Sequence, residues 1–124
     1  PFRTAKQIDS AVKLLENENV DSVCSMTTVT EHPYFMFRPD SNGKMIEYDQ
    51  TDLKPEMRQD LPQFWISNCH TQLSTTDYLH MENQRGGKSW INYDNFCPYF
   101  IEGSSATDID TEDDFQYAEF LCQK

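Results

Sequence analysis

The sequence is poor in positive charge: ten Lys and Arg stand against 21 Asp and Glu, a formal net charge of −11 over 124 residues. A field of that sign repels a phosphate backbone or an anionic membrane surface unless a local basic patch overrides it, and the sequence has no such patch. Neither nucleic acid nor a membrane is an expected partner. Glycine is scarce, with four in all, while Phe, Tyr and Trp make up 13% of the chain. That composition excludes a collagen, a coiled coil and a disordered tail. No apolar run approaches the roughly 20 residues of a spanning helix or the roughly 7–15 of a signal-peptide core, so the expected compartment is the cytoplasm. The four cysteines, Cys24, Cys69, Cys97 and Cys122, never form a CxxC pair. Scattered buried thiols are expected from that spacing, not a disulfide framework or a zinc site. The length fits a single domain, residues 1–124, and there are no internal repeats or low-complexity segments.

The pattern along the chain alternates helix and strand signals. Thr4 and Gln7 have capping-box spacing, and Ile8, Ala11, Val12, Leu14 and Leu15 then recur at helical intervals, one face of a helix to be packed on a sheet. Residues 20–29 form a β-rich run with Val, Cys and Met inside. Tyr34 to Phe37 and Lys44 to Tyr48 flank Asp40-Ser41-Asn42-Gly43, a strong hairpin signal. Residues 50–62 read as a loop with a short helix, residues 63–67 as a strand, residues 74–81 as a short helix and residues 84–88 as a loop. Residues 96–102 form a strand that Pro98 pushes toward an edge, and residues 111–123 a final helix. The result is a mixed α/β domain with a protruding β-hairpin. An isolated hairpin is marginal in water, so this one, with its aromatic first arm, is expected to pack on a second copy of the chain.

The most informative polar stretch is Asp108-Ile109-Asp110-Thr111-Glu112-Asp113-Asp114. In an extended segment Asp108 and Asp110 share a side, and two convergent carboxylates make a hard oxygen site suited to Mg²⁺ beside a substrate phosphate. The same residues also suit a helix start, with Asp110 or Thr111 as N-cap and three acids in the first turn. His32, His70 and His80 have no Ser or Cys nucleophile motif beside them, which argues against a conventional hydrolase.

Five segments in order give the sequence a resemblance. Pro1-Phe2-Arg3-Thr4 with its helix, Asp21-Ser22-Val23-Cys24-Ser25, His32-Pro33, Arg58-Gln59-Asp60-Leu61-Pro62 with Ser67-Asn68, and Asp108-Ile109-Asp110-Thr111-Glu112 together resemble the acylneuraminate cytidylyltransferases (CMP-sialic acid synthetases). The resemblance extends over essentially the whole chain and implies a doubly wound, nucleotide-diphospho-sugar-transferase-like sheet. It implies that Asp108 and Asp110 hold Mg²⁺, which orients attack on the α-phosphate of CTP. It places Arg58 at the acidic-sugar pocket, Asn68 among the groups that hold the sugar, and Gln59 beside them. It also implies a homodimer formed through the hairpin, with Tyr34, Phe35, Met36, Phe37, Met45 and Ile46 at the interface.

The chain departs from the family at three places, one of them Phe35, after His32-Pro33-Tyr34, where many relatives carry a basic residue. The Arg- and Gly-rich loop that wraps the triphosphate precedes the first matching segment, so the expectation is a truncated relative. Arg85-Gly86-Gly87-Lys88 lies too late in the chain to replace that loop and reads as a surface turn. Where the family has Asn-Gly-Ala-Ile-Tyr, this chain has Asn68-Cys69-His70-Thr71-Gln72, without the glycine or the tyrosine. Three readings follow: a dimeric cytidylyltransferase-like protein inert by itself, a module binding Mg²⁺ or a small ligand such as a sugar acid or nucleotide in its acidic cleft, or one half of a split enzyme activating a sialic-acid-like sugar.

Overall fold

Helix α1 (Ala5–Asn17) starts as its sequence dictates. In this computed structural model, which describes residues 1–48 and 57–123, Thr4 and Gln7 form the reciprocal capping box. The helix ends where Glu18 donates its N–H to Leu14 and Asn19 turns into the left-handed region at φ 50°. Ala11 is fully buried, but Ile8 and Val12 remain 40% and 37% exposed, so the expected apolar face is only partly covered. Tertiary packing overrides helical periodicity here, because coverage depends on what lies opposite the helix.

The chain forms two compact units, residues 1–27 with 67–124, and residues 28–66. The first holds the mixed sheet β4-β1-β5, built from β1 (Ser22–Thr28), β4 (Trp65–Ser74) and β5 (Phe96–Phe100). β1 and β5 are parallel, with Ser22 opposite Phe96 and Met26 opposite Phe100. β4 runs the other way: Thr75 N–H donates to Asp21 O, Ser22 and Ser74 share a hydroxyl contact, and Thr71 N–H reaches Ser25. β5 is an edge of this sheet and carries Pro98, as a strand lacking one N–H donor should. The architecture is mixed α/β.

The centre of the core is β1, where Ser22, Val23, Cys24 and Ser25 are all fully buried. Two buried serines in a strand need partners, and each bridges to β4 or beyond. Asn92 N–H donates to Ser22 Oγ at 2.9 Å, Ser22 and Ser74 hydroxyls meet at 2.8 Å, and Ser74 donates to Trp90 O. Asp21, just before them, accepts from the Asn92 and Asn95 side-chain amides. Thus the Asp-Ser-Val-Cys-Ser run is a set of ties holding β1 to its neighbours.

Helix α2 (Thr76–Gln84) follows β4 directly, capped by Thr75, and α3 (Glu112–Cys122) closes the chain. After α2, Gly86 N–H bonds to Asn83 O and Gly87 N–H to Glu82 O, with Gly86 at φ 71°. This is a Schellman cap, so the glycines of Arg85-Gly86-Gly87-Lys88 end a helix.

In the second unit β2 (Phe37–Pro39) and β3 (Met45–Glu47) form an antiparallel ladder. Asp40 and Lys44 close it around a three-residue loop in which only Gly43 has a positive φ, 80°. Asp40 Oδ1 accepts from Asn42 and Lys44 N–H groups at 2.8 Å, fixing the loop without a two-residue Asn-Gly turn. Of the loop and short helix expected over residues 50–62, residues 50–56 fall outside the described residues, and Arg58–Asp60 forms one 3₁₀ turn. Among the described residues no helix is long and apolar enough to cross a membrane. All four cysteines are free thiols, but only Cys24 is buried as expected; Cys97 is half-buried, and Cys69 and Cys122 are exposed.

Candidate functional site

β4 carries an irregularity at the site. The strand expected over residues 63–67 continues to Ser74, but Cys69 within it sits at φ 54°. A non-glycine residue in that region is uncommon and strained, and it coincides with the position where the resembling family has glycine. The kink is held by side chains: Ser25 Oγ donates to Asn68 Oδ1 at 2.6 Å and accepts from Thr71 N–H at 2.8 Å. Asn68 Oδ1 also accepts from His70 N–H at 3.2 Å.

The consequence is an amide with a fixed orientation. Asn68 uses its oxygen twice, and its Nδ2 is buried with no partner. His70, nine-tenths buried, binds Thr71 Oγ1 through Nδ1 at 2.8 Å while its Nε2 is likewise buried and unpartnered. Each such orphan costs about 1–3 kcal/mol, so two within one strand are unusual. Both residues line a cavity of about 280 Å³, together with Arg3, Cys69, Thr107 and Asp108. Burial, and then the charges of Arg3 and the N-terminal amine, hold the His70 imidazole below its usual pKa.

Of the residues singled out in the sequence, the structure brings Asn68 and Asp108 to this one cavity. Asp108 Oδ1 accepts from Ile109 N–H at 3.0 Å. Asp110 is exposed and not on the cavity wall; its N–H donates to Asp114 Oδ2, which also takes the N–H and hydroxyl of Thr111. With Asp114 N–H returned to Thr111 Oγ1, this is a capping box, and those donors hold the exposed Asp114 carboxyl below its usual pKa. Among the described residues no group of three or more His, Cys, Asp or Glu could hold a metal ion. Asp108 and Asp110 are nonetheless donors of the right hardness for Mg²⁺, which keeps waters and substrate phosphates in most of its positions.

Arg58 and Gln59 lie in the other unit, on a cavity of about 230 Å³ lined also by His32, Leu61, Pro62 and Phe64. Here the polar groups are partnered. Arg58 pairs with Glu31 at 2.9 Å, donates to Thr30 O at 3.3 Å and stacks 5.5 Å from the Phe35 ring centre. Gln59 Nε2 contacts Met57 Sδ. His32 Nδ1 accepts from Tyr34 N–H, so Nε2 carries the proton and donates to Pro62 O, both at 3.0 Å. Nearby, Tyr34 and Ile46 are half-buried, while Phe35, Met36, Phe37 and Met45 are exposed, Met45 by 60%.

Comparison with known proteins adds one finding. The chain matches, along all of its 124 residues, a curated protein of Campylobacter coli called post-translational flagellin modification protein B, with 23% identity. The relationship is a distant one. The chain spans 49% of that protein's length. No family model matches the chain.

Sequence reasoning gave no role to Arg3, Ser25 or His70. Arg3 and Ser25 stood inside quoted motifs, and His70 stood where a motif was broken. The signal was present in that break, because a histidine beside a non-glycine kink is costly unless the backbone geometry is retained.

Proposed function

We propose that this chain is a cytidylyltransferase-like protein that holds an acidic sugar for activation with CTP, dimeric, and inert when assayed by itself. The carrying observation is that Asn68 and Asp108, 40 residues apart in sequence, line one cavity. The resemblance assigns the first to the sugar and the second to the metal. The distant match of this chain to about half of a flagellin modification protein supports the same reading. In it, Asn68 offers its unpartnered Nδ2 to a sugar oxygen, and Asp108 and Asp110 would hold Mg²⁺. The metal, when bound, supplies charge neutralisation at the phosphates. The resemblance also assigns Arg58 and Gln59 to the sugar; they line a cavity in the other unit, where Arg58 is paired with Glu31. The exposed Phe35, Met36, Phe37 and Met45 support a dimer through β2 and β3.

The test has three readouts. With CTP, Mg²⁺ and N-acetylneuraminate the chain is expected to release no pyrophosphate, while Mg²⁺ raises its melting temperature. Asp108→Ala with Asp110→Ala is expected to remove that rise, and charged residues at positions 35 and 37 to give monomer. Pyrophosphate release would overturn inertness, an unchanged Mg²⁺ response in the double variant would overturn the metal assignment, and a persistent dimer would remove β2 and β3 from the interface.

A further inference from the structure

We infer that Asn42 and Gly43, in the loop between β2 and β3, form a self-modifying site: the Gly43 backbone nitrogen attacks the Asn42 side-chain amide, and the isoaspartate that results unlocks the loop. Ring closure of this kind needs a mobile amide, an unshielded nitrogen and a backbone that can open. The Asn42 side chain is exposed and has no hydrogen bond among the described residues. Gly43 carries no side chain to shield its nitrogen, and nothing lies within 4 Å of where a Cβ would stand. The other asparagines lack one or more of these features. Of the seven in the chain, only Asn42 precedes a glycine. Asn92 and Asn95 hold their amides on Asp21, and the bulky Tyr93 and Phe96 follow them. Asn68 is fixed through Oδ1, and the branched Val20 follows Asn19.

The loop's own bonding restrains the reaction. Gly43 N–H donates to Asp40 O at 3.0 Å, and Asp40 Oδ1 accepts from the N–H groups of Asn42 and Lys44, each at 2.8 Å. The nitrogen can attack only when the loop opens. β2 and β3 are three residues each and, apart from Ile46, exposed, so opening costs little. In the open loop, hydroxide takes the Gly43 N–H proton as the nitrogen bonds to Asn42 Cγ. The Cγ–Nδ2 bond then breaks, and the leaving nitrogen takes a proton from water and departs as ammonia. One water opens the cyclic imide at either carbonyl, to aspartate or to isoaspartate. In isoaspartate the main chain runs through the former side chain, one methylene longer. A three-residue loop closed by Asp40 and Lys44 cannot absorb that length and keep its bonds. The new carboxylate also stands near Asp40, in a chain whose net charge is already −11. The inference does not rest on the preceding reading, since no sugar, nucleotide, metal or dimer enters it.

The experiment incubates the chain in mildly alkaline buffer. Isoaspartate is read by methyl transfer from S-adenosylmethionine with an isoaspartyl methyltransferase, and its position by mass spectrometry of peptides. It is expected to accumulate at position 42 and at no other asparagine. Asn42→Gln, an exposed change that would require a larger ring, is expected to lose the signal. Asp40→Ala removes the bonds at Oδ1 and is expected to raise the rate severalfold, toward that of the chain unfolded in urea. Hydrogen exchange of the modified chain is expected to show lost protection at the Asp40 and Lys44 amides, while the amides of β1 keep theirs. No isoaspartate at position 42, equal accumulation at another asparagine, or a signal that persists in Asn42→Gln would overturn the site. An unchanged rate in Asp40→Ala would overturn the restraint, and unchanged exchange at Asp40 and Lys44 would overturn the unlocking.

Discussion

His32 and His70 are both buried, one in each unit, and they have opposite hydrogen-bond ledgers. His32 uses both ring nitrogens on the backbone, accepting from Tyr34 N–H and donating to Pro62 O, with Phe64 edge-on at 4.8 Å. His70, a residue of the cavity lining, uses one, and its Nε2 is buried without a partner. The cations beside them differ in the same way: Arg58 is engaged on three sides, Arg3 on none among the described residues. A satisfied polar group stabilises the fold and asks nothing of a ligand. An orphaned one costs stability and recovers it only when a ligand arrives. By that criterion the kink in β4, more than the Arg58 cavity, has the marks of a binding site.

The comparison fails first if the kink is not held as described. Ser25→Ala removes a hydroxyl that serves both Asn68 and the buried Thr71 N–H. It is expected to destabilise the chain by about 2–3 kcal/mol in urea denaturation, since a buried donor is left without an acceptor. A change within error would mean that Ser25 does not fix Asn68.

A second contrast separates the two histidines. His32→Ala is expected to cost about 1–2 kcal/mol, the loss of two backbone bonds, and His70→Ala less than about 1 kcal/mol, because a single side-chain bond to Thr71 is lost as the unpartnered Nε2 is removed with it. The pH dependence sharpens the distinction. Since the folded-state pKa of His70 lies below its ordinary 6.5, the unfolded chain takes up the proton first. Its contribution is therefore present above that ordinary value and declines as pH falls through it toward the lower folded value. His70→Ala is expected to flatten the stability profile there. An unchanged slope would place the proton uptake elsewhere.

The smallest effect is on the backbone. Cys69→Gly relieves a φ of 54° and is expected to stabilise by about 0.5–1 kcal/mol after allowing for the greater freedom of glycine in the unfolded chain. Destabilisation would show that the Cys69 side chain, which takes a contact from Gln72 Nε2, matters more than the strain.

The elements were legible wherever local chemistry decides structure. The Thr4–Gln7 and Thr111–Asp114 boxes set helix starts, Asp40 and Gly43 set the loop between β2 and β3, and Pro98 set an edge. What was not legible was how far β4 runs. Asn68-Cys69-His70-Thr71-Gln72 is polar and reads as a strand's end. It is a strand because Ser22 and Ser25, more than 40 residues away, supply the bonds that the kink disrupts. Likewise Asp108 and Asp110 share a side in an ideal extended segment, yet Asp110 is turned into the cap of α3 and only Asp108 lines the cavity.

The sequence by itself determined the α/β class, the caps, the turns and the acidic balance, because each depends on residues within one turn or one strand of one another. Tertiary structure alone decided which polar groups are satisfied. Whether a histidine is a tie or an open donor depends on partners brought from distant parts of the chain, and no spacing in the sequence encodes it.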